Sequence, residues 1–105
     1  MDKTKLLGLA RLRDTVVDVD GEKVRVREVG ALEFAEYGQL LKADRLKATA
    51  TLIAACVIDD DGNPALTVEE AMALARSARV SMPLVTAIME LSGFGDDYEK
   101  ESDAG

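Results

Sequence analysis

An acidic turn at residues 59–64 divides the second half of this chain and limits how it can fold. The seven residues before the turn, 52–58, are all apolar, and a helical pattern resumes after it. Glycine, asparagine and proline inside the turn are the residue types that reverse a chain. Thr67 followed by Glu70 is a capping box, which marks the start of a helix. The segment therefore predicts a sharp joint between a buried helix and a second helix.

A calcium loop is the competing interpretation of the same residues. Counted from Asp59, the ligand positions of an EF-hand are occupied by Asp59, Asp61, Asn63, Thr67 and Glu70. An EF-hand requires glycine at its sixth position, where the chain must bend with positive φ. Pro64 stands there, and its ring fixes φ near about −65°. We therefore predict no metal site and no cofactor.

Residues 15–29 alternate apolar and polar side chains at period two around Asp20-Gly21, a strong signature of a β-hairpin. The valines of both strands share one face in this prediction: Val17, Val19, Val24 and Val26. An isolated hairpin is marginal in water. Its apolar face is therefore expected to rest on helices or on another subunit.

Four helices are predicted after the hairpin. The first follows Gly30, and the second runs from about Asp44 through the apolar run to Ile58. The third runs from Thr67 to about Ala78. The fourth starts at an N-cap, Ser81, with Pro83 in its first turn, and stops at Gly93. The predicted fold class is α+β, mainly α, with an N-terminal β-hairpin followed by about four short packed helices.

Three segments follow from this pattern. Residues 1–13 form an N-terminal arm in which basic side chains mix with four leucines, either as a short amphipathic helix or as a mobile arm. Residues 14–95 form a single α+β domain, because 105 residues with 48% apolar content suffice for one modest core. Residues 96–105 carry five acids against one base and are predicted to be a disordered tail.

The composition disfavours several classes of function. The net charge is −7, so phosphate backbones and anionic membrane surfaces would repel the chain. The sequence has no histidine, which removes the commonest general base and zinc ligand. The single cysteine, Cys56, lies in the apolar run and is interpreted as a buried structural thiol. We predict a non-catalytic cytoplasmic protein that binds neither nucleic acid nor membranes.

The order of these parts resembles the tail assembly chaperones of long-tailed bacteriophages and prophages. The resemblance spans about residues 14–98. It rests on the hairpin at residues 17–29, on the end of the buried helix at 54–58, on the acidic turn and capping box at 59–70, and on residues 88–94 with the acidic tail. The leucines of the arm are not part of that pattern.

The resemblance implies a non-catalytic protein that binds the tape measure protein during tail morphogenesis, with the tail tube protein as a further partner. Such a chaperone works in the cytoplasm of the bacterial host and is absent from the mature virion. A longer form made by ribosomal frameshifting also occurs in the family, and nothing in this sequence shows one. The alternative is a small acidic host regulatory or adaptor protein of the antitoxin or anti-activator type.

The predicted partner-binding residues are Met72, Met82, Leu84, Met89 and Phe94. Methionine is flexible and suits adaptable contacts, although core filling is its commoner use. The hairpin's apolar face is the alternative binding surface. Because a hairpin has an open edge, association between copies of the chain is also predicted.

Overall fold

A computed structural model of the protein describes residues 1–94. The elements in chain order are α1 (Lys3–Gly8), β1 (Asp14–Val19), β2 (Glu22–Arg27), α2 (Ala31–Ala43), α3 (Arg45–Cys56), β3 (Val57–Ile58), α4 (Val68–Ala75) and α5 (Ala78–Leu91). The predicted class is confirmed: an antiparallel hairpin precedes four helices in a mainly helical chain. The predicted acidic tail, residues 96–105, lies outside the described residues.

The hairpin turns at Asp20 and Gly21, where φ is 54° and 92°. Positive φ at both central residues is typical of a type I′ turn, whose twist suits a two-residue hairpin. The Asp18 carboxylate accepts a hydrogen bond from the amide of Gly21 at 2.8 Å and closes the turn. Val17 lies opposite Val24 in the resulting register, so the predicted apolar face is confirmed.

Val57 and Ile58 were predicted to be helical, and that prediction is wrong. α3 ends at Cys56, and the two residues form a strand in which Val57 pairs with Val26 and Ile58 with Arg25. β2 thus becomes the central strand of a three-stranded sheet in the order β1-β2-β3. Pairing with β3 satisfies backbone groups that β2 would otherwise leave open, which a further half-turn of helix would not do.

One residue, Asp44, joins α2 and α3. The sequence predicted that α3 starts at about this residue. Its side chain accepts a hydrogen bond from the amide of Lys47 at 3.1 Å and caps α3. From Ala48 onwards, α3 is buried almost all round and forms the centre of the core. Its core members are Ala48, Ala50, Leu52, Ile53, Ala54 and Cys56. On α2, Tyr37 is buried, whereas Leu32 is 83% exposed.

The predicted capping box of α4 is confirmed. The amide of Glu70 donates to Thr67 Oγ1 at 3.2 Å, and the amide of Thr67 donates to Glu70 Oε1 at 2.9 Å. α4 then ends at Ala75, three residues before the predicted end.

The start of α5 differs from the prediction. The N-cap is Ser77, so Ser81 lies inside the helix, and Pro83 is its sixth residue instead of a residue of the first turn. The buried hydroxyl of Ser81 donates to the carbonyl of Ser77 at 2.9 Å. The side chain of Ser81 therefore bonds within the helix and does not act as its N-cap. The earlier start aligns Val80, Leu84 and Ile88 at four-residue spacing against the core, and this packing offsets the hydrogen bond that proline cannot make.

α5 ends in a hydrogen-bonded reversal at Gly93, as predicted. The φ of Gly93 is 90°, the amide of Phe94 donates to the carbonyl of Met89 at 2.9 Å, and the amide of Gly93 donates to that of Glu90 at 3.1 Å. This is the Schellman arrangement. It turns Phe94 back onto α2, where its ring stacks on Phe34 with the centroids 4.8 Å apart.

Candidate protein-binding groove

An apolar groove of about 450 Å³ lies between the turn end of the hairpin and helices α4 and α5. Each neighbouring element contributes side chains to the groove. They are Val19, Asp20, Glu22, Val24, Val57, Leu66, Leu74, Arg79, Val80 and Leu84. The volume falls within the ~300–1,000 Å³ that is usual for binding pockets. Side chains of seven apolar residues form the walls, so the groove suits an apolar occupant.

The polar residues of the groove stand at its rim. Arg79 at the start of α5 pairs with the carboxylate of Asp20 in the hairpin turn, and both side chains are largely exposed. Such an exposed ion pair contributes about 0–1 kcal/mol, so an incoming charged group can replace one partner at little cost. Glu22 adds a second acid to the rim.

Further acids lie at the same end of the molecule. β3 runs antiparallel to β2, so the chain leaving Ile58 enters the acidic turn, residues 59–61, towards the end of the sheet that carries the hairpin turn. Asp18 is there as well, and Lys23 pairs with it at 2.6 Å. The hydrogen bond from Lys23 and that from the Gly21 amide lower the pKa of Asp18 below its usual range. The groove therefore opens at an acidic end.

The structure does not bring the five predicted partner-binding residues together. Leu84 lines the groove, and Phe94 stacks on Phe34 near the far end of α5. Met72 is half-buried against the core. Met89 is 2% exposed, and Met82 is 60% exposed.

Met82 and Met89 are seven residues apart, which is close to two helical turns and puts them on nearly the same face of α5. Their different exposure therefore arises from what lies beside each end of the helix. Met89 belongs to the core cluster, whereas neighbouring elements leave Met82 open. Met82 remains available to a partner in this structure, and Met89 is enclosed by the protein itself.

Part of the groove was predicted from the sequence. Val19 and Val24 lie on the hairpin face that was named as the alternative surface. Leu66, Leu74 and Val80 were missed, because they come from three separate segments that only the folded chain brings together. The four-residue spacing of Val80 and Leu84 was the available signal, and the misplaced start of α5 hid it.

The thiol of Cys56 is buried in the core, and loss of solvation raises its pKa to about 12. A thiol with so high a pKa is a poor nucleophile at neutral pH.

Asp59, the first residue of the EF-hand match, accepts hydrogen bonds from the amides of Asp61 and Asn63 at 2.9 and 3.0 Å. Within residues 1–94, no group of three or more Asp, Glu, His or Cys side chains is arranged to hold a metal ion.

Arg27 and Glu33 form a partly buried ion pair with a structural role. Arg27 on β2 binds Glu33 on α2 at 2.6 Å, and the other oxygen of Glu33 accepts from the Gly30 amide at 3.0 Å. The hydrogen bond from Arg27 lowers the pKa of Glu33. The pair links the sheet to the start of α2.

Over the same described part of the chain, residues 1–94, no helix has the length and apolar character needed to cross a membrane.

The fold is similar to that of a solved protein structure. A solved structure described as that of the bacteriophage HK97 tail assembly chaperone is similar to this chain with a TM-score of 0.61 and 24% identity. The match covers 84% of this chain and 91% of that one. No protein-family model and no curated protein matches the sequence. The resemblance noted from the sequence is therefore confirmed at the level of the fold.

Proposed function

We propose that this protein is a tail assembly chaperone of a long-tailed bacteriophage or prophage. It binds the tape measure protein in the host cytoplasm during tail morphogenesis, with the tail tube protein as a second partner, and it makes or breaks no bond. The observation that carries the proposal is the fold shared with the HK97 tail assembly chaperone over most of both chains. The sequence resemblance rests on the order of hairpin, buried helix and acidic turn, and it supports the same role.

The groove supports this role physically. A chaperone for a long helical client needs apolar contact area on an otherwise soluble particle. An amphipathic helix that lays its apolar face into the groove would meet Val24, Leu66 and Leu74, which line the groove and are partly exposed. Burial of apolar surface supplies the affinity, and the net charge of −7 keeps the loaded complex dispersed.

Co-expression with the tape measure protein from the same gene cluster tests the proposal. The measured quantities are the soluble fraction of the client and its co-purification with the chaperone. We expect the wild-type chain to keep the client soluble. Leu66→Asp, which places a carboxylate in the groove from a loop position, should abolish this effect.

Leu32→Asp is the matched control, because Leu32 is exposed on α2 and is not among the groove residues. It should behave as the wild type. Met82→Asp tests whether the exposed methionine on α5 adds to the contact with the client. A client that stays equally insoluble with and without the wild-type chain contradicts the proposal. Genes flanking this one that lack any tail component would instead favour the small host adaptor.

A further inference from the structure

The N-terminal arm, residues 1–13, offers a surface that is both apolar and basic. Every residue of the arm is exposed, and α1 contains no buried residue. Leu7 and Leu9 are 64% and 78% exposed, and Leu6 and Leu12 are exposed as well. Exposed apolar side chains usually stand singly, whereas these leucines lie close together in the chain. A segment that covered them would gain free energy.

The charge of the arm is opposite to that of the chain that follows it. The arm has four basic residues and one acid, whereas residues 14–95 have eight basic residues and fourteen acids. Arg13 already pairs with Glu28 at 3.9 Å. The other three basic side chains of the arm make no ion pair within residues 1–94. They are Lys3, Lys5 and Arg11.

The base of the arm lies beside the point where the described chain ends. The amide of Arg13 donates to Glu28 Oε1 at 2.7 Å, and its guanidinium donates to the carbonyl of Leu91. Leu91 is the last residue of α5, three residues before Phe94. The sequence continues from Phe94 for eleven residues. The chain therefore leaves Phe94 close to the base of the arm.

The segment after Phe94 is long enough to follow the whole arm. Eleven extended residues span up to about 36 Å. The arm is shorter, because the six residues of α1 rise about 9 Å and residues 9–13 span at most about 17 Å. The end of the sequence can therefore reach α1 without any change in the described fold.

Residues 96–105, the acidic tail, have the chemistry that complements the arm. They carry five acids and one base. Tyr98 lies among these acids, and its ring is an apolar surface suited to covering leucine side chains. Residues 14–95 repel such a segment, because acids outnumber bases there. Pairing of opposite charges does not require that the tail fold by itself.

We propose that the acidic tail docks on the N-terminal arm of its own chain. Its carboxylates pair with Lys3, Lys5 and Arg11, and the ring of its tyrosine covers the neighbouring leucines. Each exposed ion pair is weak alone. The chain that joins tail and arm compensates, because it holds the tail at an effective concentration on the order of millimolar. The inference concerns a surface other than the groove, so it does not depend on the proposed function.

Paramagnetic relaxation in the full-length chain gives the first test. A nitroxide is attached at Ser102→Cys, and Cys56 stays unlabelled because it is buried. The amide signals of Leu6 to Leu9 should lose intensity relative to the reduced label, and this loss should diminish at high salt. The amides of Asp20 and Gly21, at the other end of the hairpin, should keep their intensity. An equal loss at the arm and at the hairpin turn, or no loss at the arm, overturns the proposal.

A mixture of two kinds of chain separates docking within one chain from docking between copies. One kind carries the nitroxide without an isotope label, and the other carries the isotope label without a nitroxide. Docking within one chain predicts that the arm signals keep their intensity in this mixture. A loss in the mixture as large as in the doubly labelled chain overturns the proposal.

Two matched variants test whether the charge of the tail is responsible. Asp96→Asn/Asp97→Asn and Asp60→Asn/Asp61→Asn each neutralise two adjacent aspartates, the second pair in the acidic turn. Only the tail variant should reduce the loss of arm intensity. Equal effects of the two variants would show that overall charge, and not docking of the tail, governs the signal.

Exchange of charges between arm and tail tests the pairing itself. Lys3→Glu/Lys5→Glu should release the tail and restore the arm signals to full intensity. Adding Asp97→Lys/Glu99→Lys to that chain should bring the loss back, because the charges are again opposite. The four positions lie in the exposed arm or beyond the described residues, so the melting curve should stay that of the wild type. A chain with exchanged charges in which the loss does not return refutes the pairing.

Discussion

Two aspartate substitutions on one face of α5 should differ greatly in their effect on stability. Met82 and Met89 are the same residue type on the same helix, and the structure exposes the first by 60% and the second by 2%. Met89→Asp should unfold the protein or nearly so. Met82→Asp should leave the free energy of unfolding almost unchanged.

The magnitudes follow from burial. Removing the buried Met89 side chain loses about 1.5–3 kcal/mol of apolar transfer free energy. A carboxyl group placed there without a hydrogen-bond partner costs about 2–7 kcal/mol more, even after it takes up a proton. The sum is comparable with the whole stability of a domain this size, about 5–15 kcal/mol. Substitution at an exposed position such as Met82 changes stability by about 0.5 kcal/mol or less.

Urea unfolding followed by far-ultraviolet circular dichroism at neutral pH measures both values. Met89→Leu is the control for shape, and a swap that conserves volume should cost less than about 1.5 kcal/mol. A free energy of unfolding for Met89→Asp within about 1 kcal/mol of the wild type would contradict the prediction, as would a loss of more than about 2 kcal/mol in Met82→Asp.

Three further predictions concern local features. Thr67→Ala should lower the free energy of unfolding by about 1 kcal/mol in urea titration, since the Glu70 amide loses its cap, whereas Thr67→Ser should retain most of it. Gly38→Ala should raise the melting temperature, because an added Cβ at this α2 position meets no atom within 4 Å and alanine is the better helix former by about 1 kcal/mol; a lower melting temperature would contradict this. Burial raises the pKa of the Cys56 thiol from 9.0 to about 12, so the native state keeps a proton that the unfolded chain loses, and stability should fall as pH rises from about 9 towards 12. Cys56→Ala should remove that part of the pH dependence measured by urea unfolding, and an identical pH profile for the variant would show that the thiol does not contribute.

The elements that the sequence predicted correctly are those whose cause is local. Asp20-Gly21 reverses the hairpin because both residues tolerate positive φ, and Asp44 and Thr67 start helices because their side chains bind amides within three residues. Gly93 ends α5 for the same kind of reason. Each depends on neighbours along the chain, so its pattern is legible without the fold.

Features that depend on distant neighbours were decided by the tertiary structure. Val57 and Ile58 continue an apolar helical run in sequence, and they become a strand because β2 offers backbone partners. The sequence alone also gives no reason for Met82 and Met89, on nearly one face, to differ in exposure.

The groove shows the same division at the level of the candidate site. Apolar side chains in the hairpin and in the last two helices were evident from periodicity alone, and so was the leucine-rich arm. Which of these side chains meet, and which stay open, follows from the packing of α5 across the hairpin, because burial is a property of contacts between segments far apart in the chain.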